Sequence, residues 1–232
     1  MYSPLISPSD RGSEDKTSAA MANKARFWNR VARKYASDPI ADLGGYERTL
    51  QRVKETLSTE YEVLEIGCGT GSTALRLAPA TRRLVATDIS EQMIAIAREK
   101  LASHPAPQLD FNLADADGSL SEDNAYDVVL AFNMLHLVSS LSQTLKSVVK
   151  SLRPGGLLIS KTPCLNEMNP LIPKIALPLI RVIGKAPPVL CFTAAQLQDA
   201  MKKAGLEIIS AERHGSKGKD FRTFIIARNI NY

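Results

Sequence analysis

The sequence predicts an α/β domain: a Rossmann-like, doubly wound sheet of five parallel strands followed by a terminal antiparallel hairpin. Three observations predict it. Short apolar runs alternate with helical patterns from Glu62 onward, the first run breaks into the glycine-rich turn Gly67-Cys68-Gly69-Thr70-Gly71, and the last two runs have no helix between them. Val63-Leu64-Glu65-Ile66 reads as a buried strand ending at Gly67, and Leu84-Val85-Ala86-Thr87 as a second ending at Asp88. Ser90 is placed to cap a helix whose apolar face is Met93, Ile96, Ala97 and Leu101. Leu109 to Leu113 alternates as a third strand. Asp127 to Phe132 is nearly continuous in apolar residues, as a strand buried on both faces would be. A helix with Leu141, Leu145, Val148, Val149 and Leu152 on one face comes next, closed by Arg153-Pro154-Gly155-Gly156. Gly156 to Ser160 is the fifth strand. Thr193 and Gln196 have capping-box spacing and open a helix that ends at Gly205. Leu206 to Ala211 and Phe221 to Ala227, joined by the polar loop Glu212 to Asp220, form the hairpin.

Bulk properties agree with one core. With 232 residues, 44% hydrophobic, and neither an internal repeat nor a composition break, residues 21–232 are expected to form a single domain. Residues 1–20 are rich in Ser, Pro, Asp and Lys, so disorder is expected there. Met21 stands directly after them and is a candidate start. No run of eighteen apolar residues and no signal-peptide order are present. The three cysteines, Cys68, Cys164 and Cys191, form no CxxC pair, which fits a reducing cytosol and a cytoplasmic location. The net charge is +5 and the pI about 9.1. The basic cluster Lys24, Arg26, Arg30, Arg33 and Lys34 lacks the density and the aromatic residues of a phosphate-tracking stripe, so it reads as a solvated helix face and no nucleic acid is expected.

The chemistry is expected where open α/β sheets bind ligands, at the carboxyl ends of the strands. Asp88 stands twenty-one residues after Gly67, the separation of a carboxylate that accepts from ribose hydroxyls. Glu65, a carboxylate inside an apolar strand, needs a partner. A dinucleotide site prefers G-x-G-x-x-G, whereas this loop is the compressed G-x-G-x-G. Here the sequence resembles the class I S-adenosylmethionine-dependent methyltransferases, from about Phe27 to Arg228 and most closely their ubiquinone and menaquinone biosynthesis subgroup. The resemblance is carried by Val63 to Gly71, by Asp88-Ile89-Ser90 with Met93, by Ala114-Asp115-Ala116, by Tyr126 to Val129, and by Leu152-Arg153-Pro154-Gly155-Gly156.

That resemblance implies S-adenosylmethionine as the cofactor and methyl transfer as the reaction. It implies roles as well. The Gly67, Cys68, Gly69 and Gly71 loop would hug the methionine portion, with Glu65 holding its amino group. Asp88 would bind ribose, Ile89 and Met93 would sandwich adenine, and Asp115 with Ala116 would meet its amine. Phe132 would offer its backbone carbonyl. Met93 as helix core and Asp115 as a loop cap are the plainer alternatives, and Cys68 is expected to pack as a small apolar residue. His136 just beyond the fourth strand and Tyr35 in the N-terminal segment are candidate general bases, or else pocket lining and helix packing.

The acceptor is narrowed by departures from other methyltransferase groups. Asn133-Met134-Leu135-His136 is not the Asn/Asp-Pro-Pro-aromatic run of amino-methylating nucleic-acid enzymes, and Pro163-Cys164 lies after the fifth strand, away from the position a pyrimidine-methylating nucleophile occupies. No acidic triad for a divalent metal is present, so no metal is expected. A small, lipophilic organic acceptor remains. Residues 165–190, apolar and proline-punctuated with Lys174, Arg181 and Lys185, read as a substrate lid, a core helix, or a weak membrane-surface contact. The alternative function is a cofactor-binding protein of the same fold that does other work, a cyclase or a non-catalytic partner subunit. A nicotinamide dehydrogenase ranks third.

Overall fold

Every strand of the predicted alternation forms, and each stops close to the residue that breaks its apolar run. The computed structural model describes residues 8–118, 123–168, 188–216 and 220–231, with side chains from residue 22 onward. Helices α1 (Pro8–Ser37) and α2 (Leu43–Lys54) precede β1 (Glu62–Ile66). Then come α3 (Ser72–Leu77), β2 (Arg83–Asp88), α4 (Glu91–Ser103), β3 (Leu109–Leu113), β4 (Tyr126–Phe132), α5 (Leu141–Ser151) and β5 (Leu152–Pro163). Helix α6 (Ala194–Lys203) leads to the hairpin β6 (Leu206–Arg213) and β7 (Arg222–Asn229).

The strands make one seven-stranded sheet in the order β3-β2-β1-β4-β5-β7-β6. The first five are parallel, while β7 runs antiparallel to both β5 and β6. Chain order reverses between β1 and β4, so their carboxyl ends open a crevice there, the usual ligand position in such sheets.

Caps place the helices as the sequence predicts. Ser90 Oγ accepts from the Met93 N–H, and Thr193 with Gln196 forms a reciprocal capping box. Side chains alternate across the sheet. Leu64, Ile66, Val129 and Ala131 face α5 and α6 with Leu145, Val148, Leu197 and Met201, whereas Val63, Val128, Leu130, Ile159 and Phe224 face α2, α3 and α4. Leu145 is fully buried. Truncating it to alanine would cost about 2–5 kcal/mol through lost burial and the cavity left behind.

Three differences from the sequence expectation have local causes. Helix α5 ends at Ser151, before Arg153-Pro154-Gly155-Gly156, because Leu152 is already extended and Pro154 disfavours helical backbone at Arg153. The strand β5 is therefore longer than Gly156–Ser160, and a register irregularity between Tyr126 and Val128 absorbs the Pro-Gly-Gly segment. The backbone is helical from Pro8, where disorder was expected through residue 20. Proline suits a helix's first turn, and Ala19, Ala20, Met21 and Ala22 are good helix formers. In α4 the buried apolar residues are Met93, Ile94 and Ala97, with Ile96 only half-buried. Of the expected lid, residues 169–187 lie outside the described residues. Its flanks are tied down: Glu167 accepts from the Ala194 N–H and from Arg213, and the Leu190 N–H donates to the His136 carbonyl.

Candidate active site

The turn after β1 is shaped by what its glycines must avoid. Gly71, at φ +74°, lies so close to Phe111 and Ala97 that an added Cβ would sit 2.5 Å from the Phe111 ring. Its absence of a side chain serves helix–sheet packing. Gly69, at φ +55°, is different: a Cβ there would meet only Tyr35 Cε1, at 3.8 Å, so its open side faces a cavity. The Asp88 carboxylate locks this turn, accepting from the Gly69 N–H and the Ser90 N–H at 2.9 Å each.

That cavity, about 370 Å³, lies over the ends of β1, β2 and β4. It is lined by ten of the sequence-predicted site residues: Gly67, Gly69, Asp88, Ile89, Met93, Asp115, Ala116, Phe132, His136 and Tyr35. Three others sit elsewhere. Gly71 is outside this lining, its Cα side packed against Phe111 and Ala97. Cys68 faces a second cavity, and burial together with Glu65 and Asp88 holds its thiol well above the ordinary value. Glu65 is buried among apolar residues on β1, and its Oε2 has no partner among the described residues.

The carboxylates give this cavity its chemistry. Burial, reinforced by Asp88, pushes Glu65 up to about 8, and burial raises Asp88 against the pull of its backbone N–H donors. Asp115 uses Oδ1 to accept from the Asp117 N–H, while its Oδ2 is buried without a partner among the described residues. Two orphaned acceptors and a third carboxylate beside a cavity of this size fit a ligand with an ammonium, vicinal hydroxyls and an exocyclic amine. S-adenosylmethionine has those groups: Asp88 would meet the ribose and Asp115 the adenine, and Glu65, behind the lining, would hold the ammonium through water.

Helix α1 closes the cavity from outside, a feature sequence reasoning only touched at Tyr35. Asn29 Oδ1 accepts from Ser90 Oγ at 2.6 Å and from the Gln92 N–H, seating α1 on the start of α4. Lys24 donates to Asp117 and to Ser139, and Trp28 joins the lining. The basic cluster therefore divides. Lys24 is a part-buried cavity residue, while Lys34 pairs with Asp38 in the i,i+4 manner on an exposed face.

The two candidate bases behave otherwise than their ordinary pKa values suggest. Burial pushes His136 down to about 4, so the imidazole is neutral and a weak proton acceptor near neutrality, with its Nδ1 unpartnered among the described residues. Partial burial, Asp88 and Glu65 raise the Tyr35 phenol, which remains protonated near neutrality.

The second cavity, also about 370 Å³, adjoins the first, and Tyr35, Phe132, Asn133 and Arg222 line both. Asn133 adopts φ +54°, turning the chain sharply after β4 at this junction. The second cavity also takes in Ile40, Tyr46, Thr49 and Lys161. Sequence reasoning missed Lys161, although a charge inside the apolar run Leu157 to Pro163 is the same kind of signal that singled out Glu65. Arg222 carries no comparable signal, since only the hairpin's return beside β5 brings it to the site.

Comparison with known proteins agrees with this geometry. Residues 63–156 match the family described as a methyltransferase domain. A ubiquinone/menaquinone biosynthesis C-methyltransferase of Pseudomonas entomophila is 32% identical over 158 residues, covering 64% of this chain and 61% of that one. A reducing polyketide synthase of Preussia isomera is 31% identical over 128 residues, 50% of this chain and 6% of its own length. The chain thus spans less than two thirds of either relative. The structure of an S-adenosylmethionine-dependent methyltransferase from Mesorhizobium loti matches with a TM-score of 0.66 at 19% identity, covering 79% of this chain and 97% of that one, a likeness of fold. With the strand order, the glycine loop and its carboxylates in place, residues 63–156 carry a methyltransferase domain, and the chain is similar to S-adenosylmethionine-dependent methyltransferases in sequence and in fold.

Proposed function

We propose that this chain transfers the methyl group of S-adenosylmethionine to a small, lipophilic organic acceptor. The observation that carries this reading is the junction of two cavities, one walled by carboxylates suited to the cofactor, the other of mixed polar and apolar lining, with Ile40 and Leu50 beside Lys161, and meeting the first at Tyr35, Phe132, Asn133 and Arg222. The cofactor, when bound, supplies an electrophilic methyl on a sulfonium. The protein's part is then to orient the acceptor toward that methyl and to exclude water. Tyr35 lines the junction with a phenol that stays protonated, and neutral His136 lines the wall beyond β4. Ile40, on the link from α1 to α2, and Leu43, the first residue of α2, are both about half exposed and suit a lipophilic acceptor's approach.

Incubating the protein with isotopically labelled S-adenosylmethionine and a metabolite extract, then searching for products heavier by one methyl, tests the proposal. A labelled product is expected. Cofactor binding without any labelled product would favour the alternative, a cyclase or non-catalytic partner of the same fold. Among the described residues no helix is long and apolar enough to cross a membrane.

A further inference from the structure

Lys161 lies on β5 between Phe132 of β4 and Phe224 of β7, and is 6% exposed. Its Nζ stands 2.8 Å from Thr49 Oγ1 and 3.4 Å from the Gly45 carbonyl, both on α2. Thr49 Oγ1 in turn lies 3.0 Å from His214 Nδ1, and His214 Nε2 lies 3.0 Å from Glu212 Oε2. Arg52 holds Glu212 at 3.1 Å, and Phe224 supports the imidazole with ring centroids 4.5 Å apart. Four side chains from three distant segments thus form one row, running from the wall of the second cavity to a carboxylate beside α2.

The row has the donors and acceptors of a proton path. With Nε2–H directed at the Glu212 carboxylate, and the Thr49 hydroxyl turned toward His214 from the Gly45 carbonyl 2.8 Å away, Nδ1 accepts the Thr49 hydroxyl proton and the Thr49 oxygen accepts from Lys161. If a proton moves from Nζ to Oγ1 while the hydroxyl proton moves to Nδ1, Lys161 becomes a neutral amine and His214 an imidazolium paired with Glu212. The charges facing Lys161 are Asp42, Arg48, Asp220 and Arg222, besides His214 and Glu212. Asp220 and Asp42 favour its charge and Arg222 and Arg48 oppose it, but burial outweighs them and lowers the amine's pKa.

We propose that the second cavity seats an acceptor with a phenolic or enolic hydroxyl, that Lys161 takes its proton, and that Thr49, His214 and Glu212 carry the proton away. This rests on the methyl-transfer reading above. The O–H bond breaks with its electron pair left on oxygen and its proton on the Nζ lone pair. The acceptor's pair then forms the bond to the methyl carbon, and the carbon–sulfur pair stays on sulfur. Lys161 is the catalytic residue in this scheme, and Thr49, His214 and Glu212 are positioning residues.

The test needs no knowledge of the natural acceptor. 4-Nitrophenol, whose phenolate is coloured, is added to the full chain with S-adenosylhomocysteine at a pH below its own pKa, while NMR tracks the Lys161 side chain through a pH titration. Wild type is expected to bind the probe as phenolate, and Lys161 to titrate below the ordinary lysine value. Lys161→Met should bind it only as the phenol, and Thr49→Val and Glu212→Gln should each shift the lysine's midpoint. S-adenosylhomocysteine affinity should stay within about threefold in all three, because none of these residues lines the cofactor cavity. An ordinary lysine midpoint, a midpoint indifferent to Thr49→Val and Glu212→Gln, or a probe that does not bind or stays protonated would each overturn the proposal. Should Lys161→Met fail to fold, the wild-type and Thr49→Val titrations decide alone. If S-adenosylhomocysteine does not bind wild type at all, the cofactor reading fails separately.

Discussion

The two wings of the sheet carry opposite chemistry. At the ends of β1, β2 and β3 stand Glu65, Asp88 and Asp115, with acceptor atoms buried and partly unpartnered among the described residues. At the ends of β5 and β7 stand Lys161 and Arg222, with His214 behind them. A cationic cofactor suits the first wing, and an acceptor that must lose a proton suits the second. Each wing holds buried ionisable groups in costly states, and the ligand expected at each is the one that would relieve the cost.

The largest test of that contrast is Glu65→Gln. A carboxyl raised to about 8 binds its proton more tightly in the folded than in the unfolded chain. Its contribution to stability is therefore full below about pH 4.5 and lost as pH rises toward 8, amounting to about 5 kcal/mol. In urea unfolding, the variant should match wild type near pH 4.5 and exceed it by roughly that amount near pH 8.5. Parallel curves for the two proteins would show that Glu65 is not an uncompensated buried carboxyl.

His136 supplies the opposite slope. Its pKa of about 4 means that the unfolded chain takes up the proton first as pH falls from the ordinary value of about 6.5. Stability is lost across that interval, about 3 kcal/mol in all, and His136→Asn should abolish the loss. An NMR inflection for His136 near 6.5 would contradict this and restore it as a base for neutral pH.

Asp88→Asn is smaller but sharper for the cofactor wing. It should weaken S-adenosylhomocysteine binding by about 1.5–3 kcal/mol, the range for a hydrogen bond to a charged group. It should also lower the melting temperature, because the same carboxylate holds the Gly69 and Ser90 amides. Unchanged affinity by calorimetry would remove Asp88 from the ribose site.

Lys24→Met should have the least effect. Asp117 keeps its bonds from the Ser139 N–H and the Thr144 hydroxyl, so the loss is about 1 kcal/mol of stability in urea unfolding. A loss several times larger would mean that α1 depends on this contact to stay over the cavity.

The acidic wing was legible in the sequence because its parts are local. Glycines, the strand before them and the carboxylate at the next strand's tip lie within one βαβ unit, where spacing alone reports geometry. The basic wing was not legible. Thr49, Lys161 and His214 come from α2, β5 and the turn after β6, more than a hundred residues apart at the longest reach, and meet only because β7 inserts between β5 and β6.

Apolar periodicity, caps and turn residues were thus enough to determine the five parallel strands, the helix starts at Ser90 and Thr193, and the cofactor loop. Those are short-range consequences of hydrogen-bond satisfaction and of burial on one face of a strand or helix. Folding was needed to decide that α5 yields to β5 at Leu152, that α1 roofs the cavity through Asn29 and Lys24, and that burial raises the Tyr35 phenol and lowers the His136 imidazole. The physical reason is common to all three. Pairing register, docking and desolvation depend on which surfaces meet, and that is a property of the folded chain rather than of any window of its residues.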